Sequence, residues 1–111
     1  MNVLFICSAN KDRSKTAEDY FTEQYPEFNF DSAGTNKIIC NKLGTNYVGQ
    51  GQLEWADSMY VMESKHRKAI KALFGKEHAK KVKVLNIRDR YNYYDKDLLE
   101  LLEDRVKLEN N

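Results

Sequence analysis

The sequence predicts an α/β fold: a four-stranded parallel sheet with helices packed on both faces, in three layers. Two observations predict it. Short apolar runs alternate along the chain with amphipathic segments of helical period, and the first run, Asn2 to Cys7, is apolar almost without interruption. Strands that alternate with helices form parallel sheets through right-handed crossovers, and a strand buried on both faces is apolar throughout. The flavodoxin-like strand order 2-1-3-4 then places strand 1 inside the sheet.

Each element has its own local signal. The predicted strands span residues 2–7, 28–32, 59–62 and 82–87. The predicted helices span residues 14–25, 37–43, 64–74 and 94–108, with a single helical turn at 53–57 after a loop at 45–52. Pro26 ends the first helix, Asn36 and Gly44 flank the second, and Gly75 ends the helix at 64–74. In the last helix, the positions predicted to face inward are Tyr94, Leu98, Leu101, Leu102 and Val106, and Glu103 is predicted to pair with Lys107.

Composition limits the classes of function. A chain of 111 residues is expected to form one domain, residues 1–111. Its 18 basic and 17 acidic side chains give a net charge of +1, so charge alone gives no reason to expect a nucleic acid or a membrane as partner. The run Val3–Cys7 is too short for a membrane span and has no basic residue before it, so no leader is expected. We therefore expect a cytoplasmic protein in which Cys7 and Cys40 are free thiols.

The loop after strand 1 is the predicted active site, because open parallel sheets bind ligands beyond the carboxyl ends of their strands. A cysteine ends the strand, an arginine follows six positions later, and a serine then opens a helix. Backbone N–H groups of such a loop and of a helix N-terminus cradle anions, and the arginine adds a planar fork of donors. The predicted phosphate-binding residues are Ser8, Ala9, Asn10, Lys11, Asp12, Arg13 and Ser14.

A cysteine in this position serves as a nucleophile only if its thiolate is stabilised. A helix dipole contributes about 0.3–1 kcal/mol, so charge-assisted hydrogen bonds of about 1.5–3 kcal/mol each must supply most of the stabilisation. The candidate donors are the loop amides, the Ser14 hydroxyl and Arg13. The alternative reading is structural: Cys7 is a small buried hydrophobic residue, and Arg13 is a surface charge.

Three segments resemble the low-molecular-weight protein tyrosine phosphatase family, and specifically its compact bacterial branch of predicted tyrosine phosphatases. Val3–Cys7 with Asn10, Arg13-Ser14 and Ala17-Glu18 resembles the N-terminal signature of that family, and Asp31–Thr35 resembles its second hallmark. A third segment, Ala56-Asp57 through Val61-Met62-Glu63 and His66, is similar to its third-strand region. The resemblance implies the phosphotyrosine phosphatase I fold.

The resemblance also implies a mechanism. Cys7 attacks phosphorus and forms a phosphocysteine, while Arg13 and the loop amides hold the equatorial oxygens. Ser14 stabilises the thiolate and Asn10 braces the loop. No metal or other cofactor is implied. The implied partners are a phosphotyrosine-bearing protein or a small aryl phosphate, together with inorganic phosphate or another oxyanion.

The family places its general acid in the loop after the last strand, where Asp89 is the positional match. Arg90 stands where the family has proline, and the neighbouring arginines favour the ionised carboxylate, which opposes the role of an acid. Asp95 is the second candidate, although it also fits the N-cap of the last helix. Tyr91 and Tyr93 are candidates to wall a cleft for an aromatic ring.

Two other functions stay open at this point. A thiol-dependent arsenate reductase uses a similar fold and would need Cys40 as its resolving thiol. A non-catalytic phosphoanion-binding regulator would keep the cradle without an effective acid. Ala9 and Asp12 depart from the family pattern, which has glycine and often a second cysteine there. His66 and His78 are predicted to be structural because they have no partner ligands at metal-binding spacing.

Overall fold

The central sheet is built around the apolar first strand. A computed structural model describes residues 1–108 of the chain. The strands are β1 (Asn2–Cys7), β2 (Asn29–Gly34), β3 (Ser58–Val61) and β4 (Val82–Val84). They form one sheet in the order β2-β1-β3-β4, and every neighbouring pair is parallel. The predicted fold class and strand order are therefore confirmed.

The register of the sheet brings the strand ends together at one edge. Cys7 at the end of β1 lies opposite Gly34 at the end of β2. Val61 at the end of β3 lies beside Ile6 in β1 and Val84 in β4. The loops that leave these strands consequently share one rim, and the candidate site lies there.

Helices cover both faces of the sheet. They are α1 (Arg13–Gln24), α2 (Lys37–Leu43), α3 (Gln50–Trp55), α4 (Ser64–Phe74) and α5 (Lys96–Arg105), with a short 3₁₀ helix at Ala79–Lys81. The predicted caps of α2 are present: the Asn36 side chain accepts a hydrogen bond from the Ile39 amide, and Gly44 has φ 73°. Among residues 1–108, no helix has both the length and the apolar character needed to cross a membrane.

The alternating side chains of β1 divide the core into two clusters. Phe5 and Cys7 belong to the cluster that includes Phe21 of α1 and Leu98 of α5. Leu4 and Ile6 belong to the opposite cluster, with Leu53 of α3 and Ile70 of α4. Cys7 is therefore held by a strand that is packed on both sides.

The last helix is shorter than predicted at both ends. Tyr94 adopts the left-handed conformation with φ 64°, and its amide donates to Thr16 Oγ1 at 2.9 Å, so the helix begins only after it. Beyond Arg105, the Lys107 carbonyl accepts a hydrogen bond from the Tyr60 hydroxyl at 2.9 Å. The predicted Glu103–Lys107 pair was wrong, since Glu103 accepts a hydrogen bond from the Tyr20 hydroxyl at 2.6 Å instead.

Two other boundaries differ by three residues. The last strand ends at Val84 rather than residue 87, because Asn86 turns into the left-handed region with φ 58°. Helix α3 begins earlier than predicted, at Gln50, because Gln52 Oε1 caps the Gly49 amide at 3.1 Å.

Candidate active site

A cavity of about 170 Å³ opens where β1 meets α1, at the rim shared by the strand ends. It brings together the predicted nucleophile, the predicted oxyanion-binding arginine and the predicted acid. Its lining residues are Cys7, Ala9, Lys11, Asp12, Arg13 and Asp89. Larger cavities of about 340, 440 and 530 Å³ lie beside α4, the start of α2 and α5, but no cysteine lines them. The chemistry therefore points to the smaller cavity.

The sulfur of Cys7 has a hydroxyl group as its neighbour. Cys7 is 3% exposed, and its Sγ lies 3.0 Å from Ser14 Oγ. Ser14 Oγ accepts a hydrogen bond from Asn10 Nδ2 at 2.9 Å, and its own hydrogen can point to the sulfur or to the Ala33 carbonyl oxygen, which lies 3.4 Å away. An O–H donor at this distance stabilises a thiolate more than a thiol.

Asn10 fixes the backbone of the loop. It has φ 54°, a left-handed conformation that asparagine tolerates better than most residues, and it is buried. Its Nδ2 also donates to Ser32 Oγ at 2.8 Å, and its Oδ1 accepts from the Asn46 amide at 3.2 Å. The bracing role predicted for Asn10 has a physical basis in these contacts.

The loop is also held from behind through its carbonyl groups. The Ser8 carbonyl accepts from the Asn36 amide at 3.0 Å, and the Ala9 carbonyl accepts from Thr45 Oγ1 at 2.6 Å. The N–H and C=O of a trans peptide point in opposite directions. The amides of Ala9 and Asn10 therefore point away from Asn36 and Thr45.

The close packing of the loop against β2 requires glycine at position 34. A Cβ at that position would lie 2.5 Å from the Ser8 carbonyl oxygen and 2.7 Å from Cys40 Sγ. Both distances are shorter than real Cβ contacts, and the first involves backbone that cannot easily shift. Gly34 thus lets the loop after β1 lie directly on the end of β2.

Arg13 is buried and joins three parts of the chain. It is 2% exposed, and its Nη1 donates to Glu63 Oε2 at 2.6 Å and to the Ile87 carbonyl at 2.7 Å. Both hydrogen bonds use Nη1, so the Nε–Nη2 edge faces the cavity, where its nearest described charge is the Asp89 carboxylate at 3.7 Å from Nε. Burial raises the pKa of Glu63, but the hydrogen bond and charge of Arg13 outweigh it and lower that pKa overall. Glu63 is therefore an anion that orients the guanidinium.

Asp89 lies across the cavity on the loop that follows β4. Its side chain is 63% exposed, and its Oδ1 is 3.7 Å from Arg13 Nε. The second candidate, Asp95, accepts a hydrogen bond from the Asn92 amide at 2.7 Å and occupies the N-cap position of α5. Asp89 is thus the candidate acid that shares a cavity with the sulfur.

The two candidate cleft tyrosines lie apart from the described lining of this cavity. Tyr91 is half-buried and packs against the core cluster that contains Phe5. Tyr93 is 47% exposed, and its hydroxyl donates to the Asp19 carboxylate, which raises the pKa of Tyr93 to about 12. Their proposed role as walls of a substrate cleft stays a prediction.

Sequence reasoning missed two residues of the site. Glu63 follows the end of β3, and the rule that ligands bind at strand ends was a signal for it. His66, predicted to be only structural, is 1% exposed and places Nε2 at 2.8 Å from Ser8 Oγ. Within residues 1–108, no group of three or more histidine, cysteine, aspartate or glutamate side chains is arranged to hold a metal ion.

Comparisons with known proteins identify the fold. No model of a protein family matches the chain, and no curated protein matches it. Solved structures do match. The low molecular weight protein tyrosine phosphatase from T. tengcongensis has 19% sequence identity, with 94% of this chain and 91% of that chain covered and a TM-score of 0.70. Wzb from Vibrio vulnificus, in complex with benzylphosphonate, has 16% identity over 92% and 89% of the two chains, with a TM-score of 0.72.

A third solved structure is a mutant of the YwlE arginine phosphatase with a phosphorylated active-site serine. It has 21% identity over 92% of this chain and 91% of that chain, with a TM-score of 0.69. At these identities the likeness establishes the fold alone. The chain therefore has the fold of the low molecular weight protein tyrosine phosphatases.

Proposed function

We propose that this chain, which has the low molecular weight protein tyrosine phosphatase fold, is a cysteine-dependent phosphomonoesterase that acts on phosphotyrosine. The observation that carries the proposal is the position of Cys7 Sγ, 3.0 Å from the Ser14 hydroxyl group and in one cavity with the buried cation of Arg13. A stabilised thiolate beside an oxyanion site is what phosphoryl transfer to sulfur requires.

The first step forms a phosphocysteine. The Cys7 thiolate attacks phosphorus in line, the S–P bond forms, and the P–O bond to the leaving group breaks. Asp89 gives its proton to the leaving oxygen, which departs as a neutral alcohol or phenol. Arg13 and the loop amides hold the equatorial oxygens of the transition state.

The second step releases phosphate. Water attacks the phosphocysteine, and the Asp89 carboxylate takes a proton from it as the S–P bond breaks. The electron pair returns to the sulfur, and the Ser14 hydroxyl stabilises the thiolate that leaves. The cycle regenerates the protonated acid and the thiolate, so it needs no cofactor.

Two structures with this fold support the chemistry. In the YwlE arginine phosphatase mutant, an active-site serine carries the phosphoryl group, which matches the covalent intermediate proposed for Cys7. Wzb holds benzylphosphonate, an aryl-bearing phosphonate, which fits the aryl phosphate substrate proposed here. The arginine phosphatase makes phosphoarginine the second candidate substrate, and both candidates use the same phosphocysteine step.

The arsenate reductase alternative is less well supported. It needs a second thiol that can reach the thiol adduct, whereas Cys40 is fully buried and its Sγ lies 3.8 Å from the Ser8 carbonyl oxygen. We place the protein in the reducing cytoplasm, because the proposed chemistry needs Cys7 as a free thiol. Its proposed partners are phosphorylated proteins and inorganic phosphate.

The decisive experiment measures hydrolysis of para-nitrophenyl phosphate by the purified protein in the presence of a metal chelator. Cys7→Ser is expected to lose turnover by about 10⁴-fold or more while still binding phosphate. Cys40→Ser is the matched control, and it is expected to keep its activity if the second cysteine only packs. Full activity in Cys7→Ser would overturn the proposal.

The same measurement with peptide substrates determines which phosphorylated residue the protein prefers. A higher kcat/KM for a phosphotyrosine peptide than for a phosphoarginine peptide of equal sequence supports the proposed specificity. The reverse order would assign the protein to arginine dephosphorylation with the mechanism unchanged. Phosphate binding without turnover of either peptide would instead support the regulator.

A further inference from the structure

The imidazole of His66 connects two parts of the candidate site. His66 lies in the first turn of α4 and is 1% exposed. Its Nδ1 accepts a hydrogen bond from the Glu63 amide at 3.0 Å, and its Nε2 lies 2.8 Å from Ser8 Oγ. One side chain therefore joins the turn that carries Glu63 to the residue that directly follows Cys7.

These contacts fix the protonation of the ring. Because Nδ1 accepts a hydrogen bond, it carries no proton, and a neutral imidazole then has its single hydrogen on Nε2. Burial and, to a smaller extent, the nearby charge of Arg13 together lower the pKa of His66 to about 4. At neutral pH the Nε2–H group is thus a donor, and Ser8 Oγ is its acceptor.

Ser8 is consequently held at two points. Its carbonyl accepts from the Asn36 amide at 3.0 Å, and its hydroxyl accepts from His66. The first point ties the loop after β1 to the start of α2, and the second ties it to the start of α4. The turn at the start of α4 also holds Arg13 through Glu63. The loop that contains Ser8 and the guanidinium of Arg13 are therefore both anchored to the start of the same helix.

We propose that His66 is a positioning residue for phosphoryl transfer: its Nε2–H group holds Ser8, and through Ser8 it keeps the loop amides aligned with Arg13. This inference rests on the proposed phosphatase function. His66 does not touch the reacting atoms. Its effect is greatest when the amides and Arg13 must bind the same transferring group, which is in the transition state.

The test combines three variants in a double-mutant cycle. His66→Gln removes the imidazole but keeps the helix cap, since Gln52 in this same chain caps the Gly49 amide at 3.1 Å. Ser8→Ala removes the other partner. Each single variant is expected to lower kcat/KM for para-nitrophenyl phosphate about tenfold. The double variant is expected to be no worse than either single variant, because the two share one interaction.

A second readout separates positioning from folding. Vanadate adopts the five-coordinate geometry of the transition state, so its affinity is expected to fall about as much as kcat/KM. The affinity for inorganic phosphate is expected to fall less. Ser8→Thr keeps the hydroxyl and is expected to retain most of the activity. His78→Gln is the matched control, since His78 is a buried histidine of a different segment and is 5% exposed.

The failure of this inference is distinguishable from that of the proposed function. If the unmodified protein turns over aryl phosphates and His66→Gln matches it, or if the effects of the two variants multiply, only the role of His66 is overturned. If the unmodified protein hydrolyses nothing, the function fails, yet vanadate binding and the ¹⁵N spectrum of the ring still test His66. A spectrum with the proton on Nδ1 would overturn the inference, whereas the Nε2–H form supports it.

Discussion

The loops that follow β1 and β4 face each other across one cavity, but they are held very differently. In the first loop, Cys7 is 3% exposed and Asn10 is braced by side chains and amides from β2 and the segment after α2. In the second loop, Asp89 has a side chain that is 63% exposed, and its ion pair with Arg13 is long, at 3.7 Å. Oxyanion binding depends on donors that are already in place, whereas a general acid needs access to the leaving group and to protons from solvent.

In the rigid loop after β1 and the first turn of α1, Arg13→Lys is the substitution expected to lower activity most. Lysine keeps the charge but lacks the planar fork, so it cannot hold Glu63 and the Ile87 carbonyl while offering two donors to an oxyanion. We expect kcat/KM for para-nitrophenyl phosphate to fall about 10³-fold, together with weaker vanadate binding. Arg88→Lys is the control on the exposed side and is expected to change kcat/KM less than threefold. Equal effects of the two substitutions would remove the contrast between the loops.

Asp89→Asn tests the exposed side. Loss of the proton donor is expected to lower kcat about 10²-fold for an alkyl phosphate, with a smaller loss for para-nitrophenyl phosphate, whose phenolate leaves without help. Phosphate affinity is expected to rise rather than fall, because the substitution removes a carboxylate that lies 3.7 Å from Arg13 Nε in the same cavity. Asp95→Asn serves as the matched control. A larger loss in Asp95→Asn would assign the acid to Asp95 instead.

The smallest expected effect concerns the pH dependence of stability. Burial lowers the pKa of His66 from 6.5 to about 4, so the unfolded chain binds a proton that the folded protein refuses between these values. The free energy of unfolding is therefore expected to fall by about 2–3 kcal/mol as the pH drops from 7 to 4. The Glu63 carboxyl, whose pKa is lowered, adds stability at neutral pH that is lost only as the pH falls below the ordinary value of 4.5.

Denaturant titrations at several pH values measure this slope. His66→Gln should flatten it, because glutamine at position 66 does not titrate. His78→Gln is the comparison for a buried histidine outside the site. If the free energy of unfolding of His66→Gln depended on pH as it does in the unmodified protein, His66 would not be the group responsible for this dependence.

The sequence allowed one side of this comparison to be predicted more fully than the other. The spacing from Cys7 to Arg13 lies within a single strand-loop-helix unit, so local pattern was enough to place both residues at the rim. The partners that make the loop rigid, such as Asn46 and Glu63, are distant in sequence, and no periodicity relates them to Cys7. Glu63 reaches Arg13 because parallel strands bring their carboxyl ends to one edge, and Asn46 reaches Asn10 because its segment pairs with Gly34 at the end of β2.

The difference between local pattern and long-range contact also explains why α4 was predicted correctly and the start of α5 was not. Helical periodicity predicted α4 at 64–74, where one face is apolar and glycine ends the pattern. It extended α5 back to Tyr94, because an inward-facing aromatic residue fits the period equally well. The left-handed backbone of Tyr94 and its hydrogen bond to Thr16 are tertiary features, and tertiary contacts override local propensity.

Through a single guanidinium group, Arg13 joins α1 to the segments that follow β3 and β4. Strand β4 has only three residues and lies at the margin of the sheet, so it is a natural place for thermal opening to begin. A bound oxyanion that occupies the remaining edge of the guanidinium would tighten this junction. Buffer phosphate would then act as a thermal protectant, adding about 2.7 kcal/mol when its concentration reaches 100 times its dissociation constant.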